Sequence, residues 1–494
     1  MEVILPQVPN MSLIMPEILL TVLACLIFVV DLFVSKENKA LLGWLGVAGL
    51  LIVILNCFGL WGTNEVIFSG MYSVDNFSIF LKILFAAITI LTILISLKYL
   101  TVEEINMGEY YGLIITATLG MVVMAGGNDL ITIYLGLELM SLSLYVLSGF
   151  IRRDPKSQEA ALKYFLLGAF TSGLLLYGMA LLYGITGTTN LSEISKYLVD
   201  GNITYSVPLI LSMVLMVAGF GFKISFVPFH MWVPDVYEGA PTSVTAYMSV
   251  GTKVAGFAAL MRIFLVGISI LQPHWIILLW VLSVMTMTIG NIVAIAQKSL
   301  KRMLAYSSIA HAGYILIGFI AGNEIGLAGV LFYFIAYMFM NIGAFTMIIL
   351  LCKEGNRGDQ ISDFAGIAKT NPMVALAFVV FFMSLAGIPP TAGFVGKLYI
   401  FAAAIQAKYI WLLIIAVINS AISVYYYFSV VMAMYMKEPE KDIVITHTPV
   451  LKFALLLMVI GVIALGVYPG PFIDAAKASI APFIEPAKLA MTLM

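Results

Sequence analysis

Apolar residues run along this chain in long unbroken blocks, with no strand-like alternation and no narrow helical stripe. Blocks of about 20 apolar residues cross a bilayer as helices. The pattern predicts fourteen spans, near 13–34, 40–60, 75–97, 109–125, 129–150, 161–185, 206–235, 241–270, 275–296, 300–321, 325–352, 372–407, 409–436 and 449–468. The seventh is interrupted by Pro228 and the twelfth by Pro389-Pro390, so both are expected to be broken helices. Proline has no N–H, so these breaks free the carbonyls of Ile224, Leu385 and Ala386. The longest segments between spans are about 20 residues, too short for a soluble domain.

Composition makes the reading exclusive. Of the 494 residues, 62% are hydrophobic and 10% charged, against about a quarter charged in soluble proteins. That excludes a soluble enzyme and a disordered chain. Lys and Arg number 25 against 26 Asp and Glu, which leaves no electrostatic footprint for nucleic acid. Cys25, Cys57 and Cys352 fit no metal spacing and are read as small buried hydrophobes. With four histidines and neither His-x-x-x-His nor Cys-x-x-Cys, haem, iron–sulfur and zinc sites are not expected. The start, Met-Glu-Val-Ile-Leu-Pro, lacks a basic n-region, so no cleavable signal peptide is expected. Any large cofactor must sit on a partner chain.

Basic residues orient the bundle. Loops after odd-numbered spans carry fifteen Lys and Arg, from Lys36 to Lys452, whereas loops after even-numbered spans carry only Lys196 and Lys408. The odd loops are therefore expected in the cytoplasm, and both termini outside. The chain also repeats itself. Tyr145-Val-Leu-Ser-Gly-Phe150 and Tyr314-Ile-Leu-Ile-Gly-Phe319 lie 169 residues apart, as do Tyr164-Phe165 and Tyr333-Phe334. The expected division is 1–108 (spans one to three), 109–270 (a first five-helix unit), 271–436 (a second) and 437–494 (the last span and tail). Five spans is an odd number, so the units are inverted relative to each other, with broken helices at matching places, a transporter design.

Ionisable groups inside the bilayer cost about 2.5–3.5 kcal/mol each on insertion scales. Glu138, Lys223, Lys253, His311 and Lys397 lie within spans. Lys82, Lys163 and Arg262 lie nearer span ends, where snorkelling or ion pairing competes with a functional role. His311 alone reads equally as a satisfied core histidine or a relay group. For the rest, one acid cannot neutralise three lysines. Buried lysine can exchange its proton and arginine cannot, so the set suits a proton relay. His230, two residues after Pro228, is placed to extend it.

Four stretches carry a resemblance: Phe222–Thr242 (FKISFVPFHMWVPDVYEGAPT), Ser249–Phe257 (SVGTKVAGF), Arg302–Tyr314 (RMLAYSSIAHAGY) and Ser384–Lys397 (SLAGIPPTAGFVGK). They resemble the antiporter-like membrane subunits of respiratory complex I, the NADH-quinone oxidoreductase. The wording PDVYEGAPT points to the N type among them. The resemblance is strong over spans four to thirteen and rests on length and span count elsewhere. It implies an all-α, multi-pass, proton-translocating subunit, and the membrane is read as the cell (plasma/inner) membrane, bacterial in preference to thylakoid. On it, Glu138 and Lys223 form an acid–base pair that opens and closes, Lys253 is the central lysine, His311 a relay, and Lys397 the terminal lysine of the second half-channel. Protons are taken from the cytoplasm to Lys253 and leave outside past Lys397. NADH, FMN, iron–sulfur clusters and the quinone site belong to partner subunits, and the adjacent partners are an M-type subunit and small K/J/A-type subunits. The alternative is a subunit of a multisubunit sodium/proton antiporter, from which the VYEGAPT wording separates it. A purely structural spacer is the third reading.

Overall fold

The computed structural model describes residues 10–201, 206–351, 358–438 and 448–484. In chain order the elements are α1 (Met15–Asp31), α2 (Ala40–Gly59), β1 (Glu65–Ile67), β2 (Tyr72–Val74), α3 (Asn76–Val102), α4 (Glu109–Gly126), α5 (Leu130–Ser148), α6 (Pro155–Thr186), α7 (Leu191–Asp200), α8 (Val207–Ile224), α9 (Trp232–Gly239), α10 (Thr242–Arg262), α11 (Gln272–Ile295), α12 (Leu300–Ala321), α13 (Glu324–Leu351), α14 (Ile367–Thr370), α15 (Pro372–Ala386), α16 (Ala392–Gln406), α17 (Ile410–Met436), α18 (Pro449–Val467) and α19 (Gly470–Ser479). Among the described residues, 13 helices are long and apolar enough to cross a membrane, and the shorter α15 and α16 together occupy the place of the expected twelfth span. The chain is a multi-pass membrane protein whose spans are helical.

The helices form a core and a perimeter. α3, α10, α12 and α13 are buried over nearly all of their apolar length, while α1, α2, α6, α11, α17 and α18 turn most of theirs outward. In a bilayer the outward residues meet lipid tails, so the apolar exterior is the fitted surface. Packing inside depends on small residues. A Cβ on Gly120 of α4 would come within 2.5 Å of Met140 N and 2.6 Å of Gly136 O on α5. A Cβ on Gly290 of α11 would stand 2.8 Å from Ala310 N and 3.0 Å from Tyr306 O on α12. Both glycines let two backbones touch.

Matching corners open α5 and α12. Leu130 N donates to Thr189 O at 2.9 Å and Leu191 N to Asn128 O at 3.0 Å. Leu300 N donates to Asp359 O at 2.7 Å and Ile361 N to Lys298 O at 3.0 Å. Asp129 caps α5 through Ile131 N and Thr132 N, and Ser299 caps α12 through Arg302 N. The first break lies between α8 and α9, the second between α15 and α16, and the Val227-Pro228 and Pro389-Pro390 peptides are cis.

Three details differ from the sequence reading. α6 begins at Pro155, capped by Asp154, six residues before the expected apolar start. A β1–β2 ribbon forms, pairing Glu65 with Val74; three residues per strand are too few to show alternation. The segment between α6 and α8 holds α7, which buries Leu191, Ile194 and Leu198 on one face and is too short and polar to read as a span.

Candidate functional site

Three lysine centres lie along the bundle. At the first, Lys223 occupies the last turn of α8. Ser225 takes a left-handed φ of 77°, and Phe226 N folds back onto Gly221 O at 2.7 Å, which ends the helix. Across the break, Trp232 of α9 donates Nε1–H to Phe222 O at 2.9 Å and stacks on Tyr164 with ring centroids 4.5 Å apart. Lys223 Nζ donates to Ser141 Oγ at 2.7 Å and lies 5.5 Å from the Tyr145 ring centre and 5.8 Å from that of Tyr164. Glu138 and Lys223, expected as an acid–base pair that opens and closes, are not in direct contact in this structure. Glu138 is half-buried on α5, and its Oε1 has no hydrogen-bond partner among the described residues. Ser141 lies three residues further along the same helix face, so its hydroxyl receives the ammonium instead.

At the second centre Lys253, in mid-α10, donates to both the carbonyl and the hydroxyl oxygen of Ser308 on α12. Both residues are buried. Asn341 Nδ2 donates to Ser249 Oγ at 2.5 Å close by on α10. His311 lies one turn beyond Ser308. Its Nδ1 meets Tyr333 OH at 2.7 Å and its Nε2 meets Tyr427 OH at 3.1 Å. Tyr427 in turn bonds Ser307. A hydroxyl both donates and accepts. His311 can therefore take a proton at one ring nitrogen while releasing one at the other.

At the third centre Lys397, near the start of α16, donates to Ala386 O at 2.8 Å, Leu385 O at 3.2 Å and Ser420 Oγ at 2.9 Å. Those two carbonyls are the ones that the proline pair frees. Lys397 Nζ also stands 4.9 Å from the Tyr314 ring centre. Tyr314 lies between His311, 5.8 Å away between ring centres, and Lys397. His230 sits in the first break, 8% exposed, with Nδ1 free of partners among the described residues.

The structure thus brings Lys253 and His311 together through α12, and His311 and Lys397 through Tyr314. Lys223 and Glu138 form a separate centre. Sequence reasoning missed Ser141, Ser308 and Ser420, since a serine in an apolar helix gives no sign of what faces it. It did flag Tyr145 and Tyr314 as the paired start of the repeated motif; their rings are the ones beneath Lys223 and Lys397. The span-end cations are ion-paired: Lys82 with Glu17 at 2.7 Å, Arg262 with Asp75 at 2.7 Å, and Lys163 with Asp235 at 2.7 Å. Cys57 is buried, Cys25 lies exposed on the outer face of α1, and Cys352 falls outside the described residues. The outward turn of α1 explains Cys25, because an apolar residue there meets lipid. No three His, Cys, Asp or Glu side chains converge to hold a metal ion among the described residues.

Residues 127–423 match the family described as the NADH:quinone oxidoreductase/Mrp antiporter membrane region. The chain is 49% identical over 476 residues to the NADH-quinone oxidoreductase subunit N of Trichlorobacter lovleyi, covering 96% of this chain and 98% of that one. It is 43% identical to the subunit N of Desulforamulus reducens, covering 96% and 99%. Among solved structures it is similar to a chain of respiratory complex I from Thermus thermophilus with bound aureothin, at 31% identity and a TM-score of 0.80, covering 94% of this chain and 100% of that one. A chain of the Mrp complex from Dietzia sp. shares the fold at 22% identity and a TM-score of 0.82, covering 98% and 99%.

Proposed function

The chain belongs to the NADH:quinone oxidoreductase/Mrp antiporter membrane family, with subunit N sequences among its relatives, and from that premise we propose that it is the proton-translocating N-type membrane subunit of an NADH-quinone oxidoreductase. NADH oxidation and quinone reduction take place on partner subunits, which hold the flavin, iron–sulfur clusters and quinone site. The neighbours in the membrane are other subunits of that complex, an M-type chain and small K/J/A-type chains. The complex lies in the cell membrane with both termini of this chain outside. Residues 109–270 and 271–436 are two inverted five-helix units. The matching corners at α5 and α12, offset by 170 residues in all four hydrogen bonds, support that division.

One observation carries the reading. Lys223, Lys253 and Lys397 are buried; a hydroxyl receives the first ammonium and hydroxyl and carbonyl oxygens the other two, with no carboxylate on any of them among the described residues. A structural counter-ion would be matched by an acid, as Lys82 and Arg262 are. An amine held by neutral groups can lose its proton without stranding a buried carboxylate. Protons enter from the cytoplasm to Lys253, pass by way of Ser308, His311 and the Tyr333 and Tyr427 hydroxyls toward Lys397, and leave outside. Glu138 and Lys223 act on Lys253 from a distance through their field. Moving each charge outward against the membrane potential costs about 2.3 kcal/mol per 100 mV, so quinone reduction must drive the cycle.

Lys253→Arg and Lys253→Met in the whole complex, reconstituted into sealed vesicles, test the assignment. Arginine keeps the charge but does not release its proton. Both variants should therefore assemble and show strongly reduced NADH-driven proton uptake. Full uptake by the arginine variant would remove Lys253 from the relay.

A further inference from the structure

The two five-helix units meet at a charged seam that the relay leaves unused. α9, the short second half of the first broken helix, carries Asp235 and Glu238 three residues apart. Arg302, in the first turn of α12, donates from Nη1 to Asp235 Oδ1 at 2.9 Å and to Glu238 Oε2 at 2.7 Å. Its neighbour Lys301, 2% exposed, donates to Ala240 O, the carbonyl at the α9 C-cap, at 3.1 Å. Adjacent residues of α12 therefore hold α9 by its side chains and by its C-terminal end, where a cation is also favoured by the helix dipole. On the other side, Asp235 Oδ2 accepts from Lys163 at 2.7 Å and Glu238 Oε1 accepts from Lys156 at 2.7 Å, both on α6. Each acid is shared between the two units.

What the joined helices carry gives the seam a role. Trp232 of α9 bonds Phe222 O, next to Lys223. Six residues along α12 from Arg302, about 9 Å at 1.5 Å per residue, is Ser308, which receives the Lys253 ammonium. Exposed ion pairs contribute little to stability, and Arg302 is 30% exposed. One guanidinium nitrogen fixed between two carboxylates sets position more than it adds stability. Resting on the proton-transfer reading above, we propose that the Asp235–Arg302–Glu238 clamp is a positioning element that registers α12 against α9, so that a change at Lys223 reaches the Ser308 that holds Lys253. The clamp joins two lysine centres that share no hydrogen bond among the described residues.

A coupling claim of this kind needs a double-mutant cycle. The variants are Arg302→Gln, Asp235→Asn and the two combined, with Arg302→Lys and Glu159→Gln beside them. They are made in the intact complex and reconstituted in sealed vesicles. NADH-driven proton uptake is measured per assembled complex. Arg302→Gln and Asp235→Asn should each lower uptake several-fold, the double variant should fall no further, and Arg302→Lys should recover most of it. Glu159→Gln, which removes only an exposed pair within α6, should match the parent. If Arg302→Gln fails to assemble, Asp235→Asn and Glu238→Gln carry the same test by removing one acceptor each. Normal uptake per assembled complex in the seam variants, or additive losses in the double variant, overturns the clamp. Lys253→Met separates the two ideas: normal uptake in it removes the relay itself, whereas its failure beside a normal Arg302→Gln removes the clamp alone.

Discussion

Lys397 is held by three oxygens and a tyrosine ring, and removing one support at a time tells relay from scaffold. Ser420→Ala deletes a single acceptor and leaves the two carbonyls, so we expect a mild loss of proton uptake. Lys397→Met deletes the amine and should stop transfer through the second unit. Lys397→Arg should fail as the methionine variant does, because the retained charge does not dissociate; an arginine variant that pumps normally would make Lys397 a counter-ion. At the other end, Glu138→Gln should slow uptake and quinone reduction together while the complex assembles, and normal pumping in that variant would free Glu138 from any part in the cycle. The lysines and the acid were legible from sequence, because a charge inside an apolar block is conspicuous. Their partners were not. Ser141, Ser308 and Ser420 are ordinary residues in helix interiors, and only the reach of Lys223 from α8 to α5 and the packing of α10 against α12 and of α16 against α17 decide what they meet. The Glu138–Lys223 pair came from the family resemblance, and the hydroxyl of Ser141 that meets the ammonium here gave no sign in the sequence.

Between elements, contact depends on small residues and on ion pairs such as Arg262–Asp75. Gly120→Leu and Gly290→Leu each force a side chain against backbone atoms of the facing helix. Backbone cannot move aside as a flexible side chain does, so both should reduce the yield of assembled complex, with Gly120→Ala milder than Gly120→Leu; wild-type yield of the leucine variants, read on native gels, would show that these helix pairs separate freely. Arg262 joins α10 to the start of α3 by two hydrogen bonds to Asp75, 2.7 and 2.8 Å long, and donates to Ala125 O at 3.0 Å. Breaking a buried pair from one side costs about 3–5 kcal/mol, so Asp75→Asn should lower the melting temperature of the complex. Burial pushes the Asp75 carboxyl up, but the Arg262 guanidinium and the Ser78 bonds outweigh it and hold the carboxyl below the usual range. A depressed carboxylate stabilises the fold above its unfolded pKa of about 3.9 and loses that contribution as pH falls through the lower folded value. This pair should therefore hold at neutral pH and fail only in strong acid. Span positions and both breaks were legible, because block length and proline are local signals. The β1–β2 ribbon and α7 were not, since a three-residue strand and a ten-residue amphipathic helix owe their form to what they pack on.

For the whole molecule, inversion is the claim with most at stake. It rests on five spans separating the α5 corner from the α12 corner, which would turn these alike corners to opposite sides of the membrane. Ser192, two residues beyond the Asp129–Asn190 bridge, and Lys298, one residue before the Ser299–Gln360 bridge, are both exposed. In a background with Cys25, Cys57 and Cys352 replaced, Ser192→Cys should react with an impermeant maleimide only from outside intact cells. Lys298→Cys should react only in inside-out vesicles. The excess of Lys and Arg in the odd loops is the ground for the expected direction, and an even number of spans between the termini would put both ends on the side of Ser192. Labelling of the two cysteines from one side would mean an even number of crossings between them. The corners would then be related by simple translation, and a pathway built from two oppositely oriented halves would have no basis.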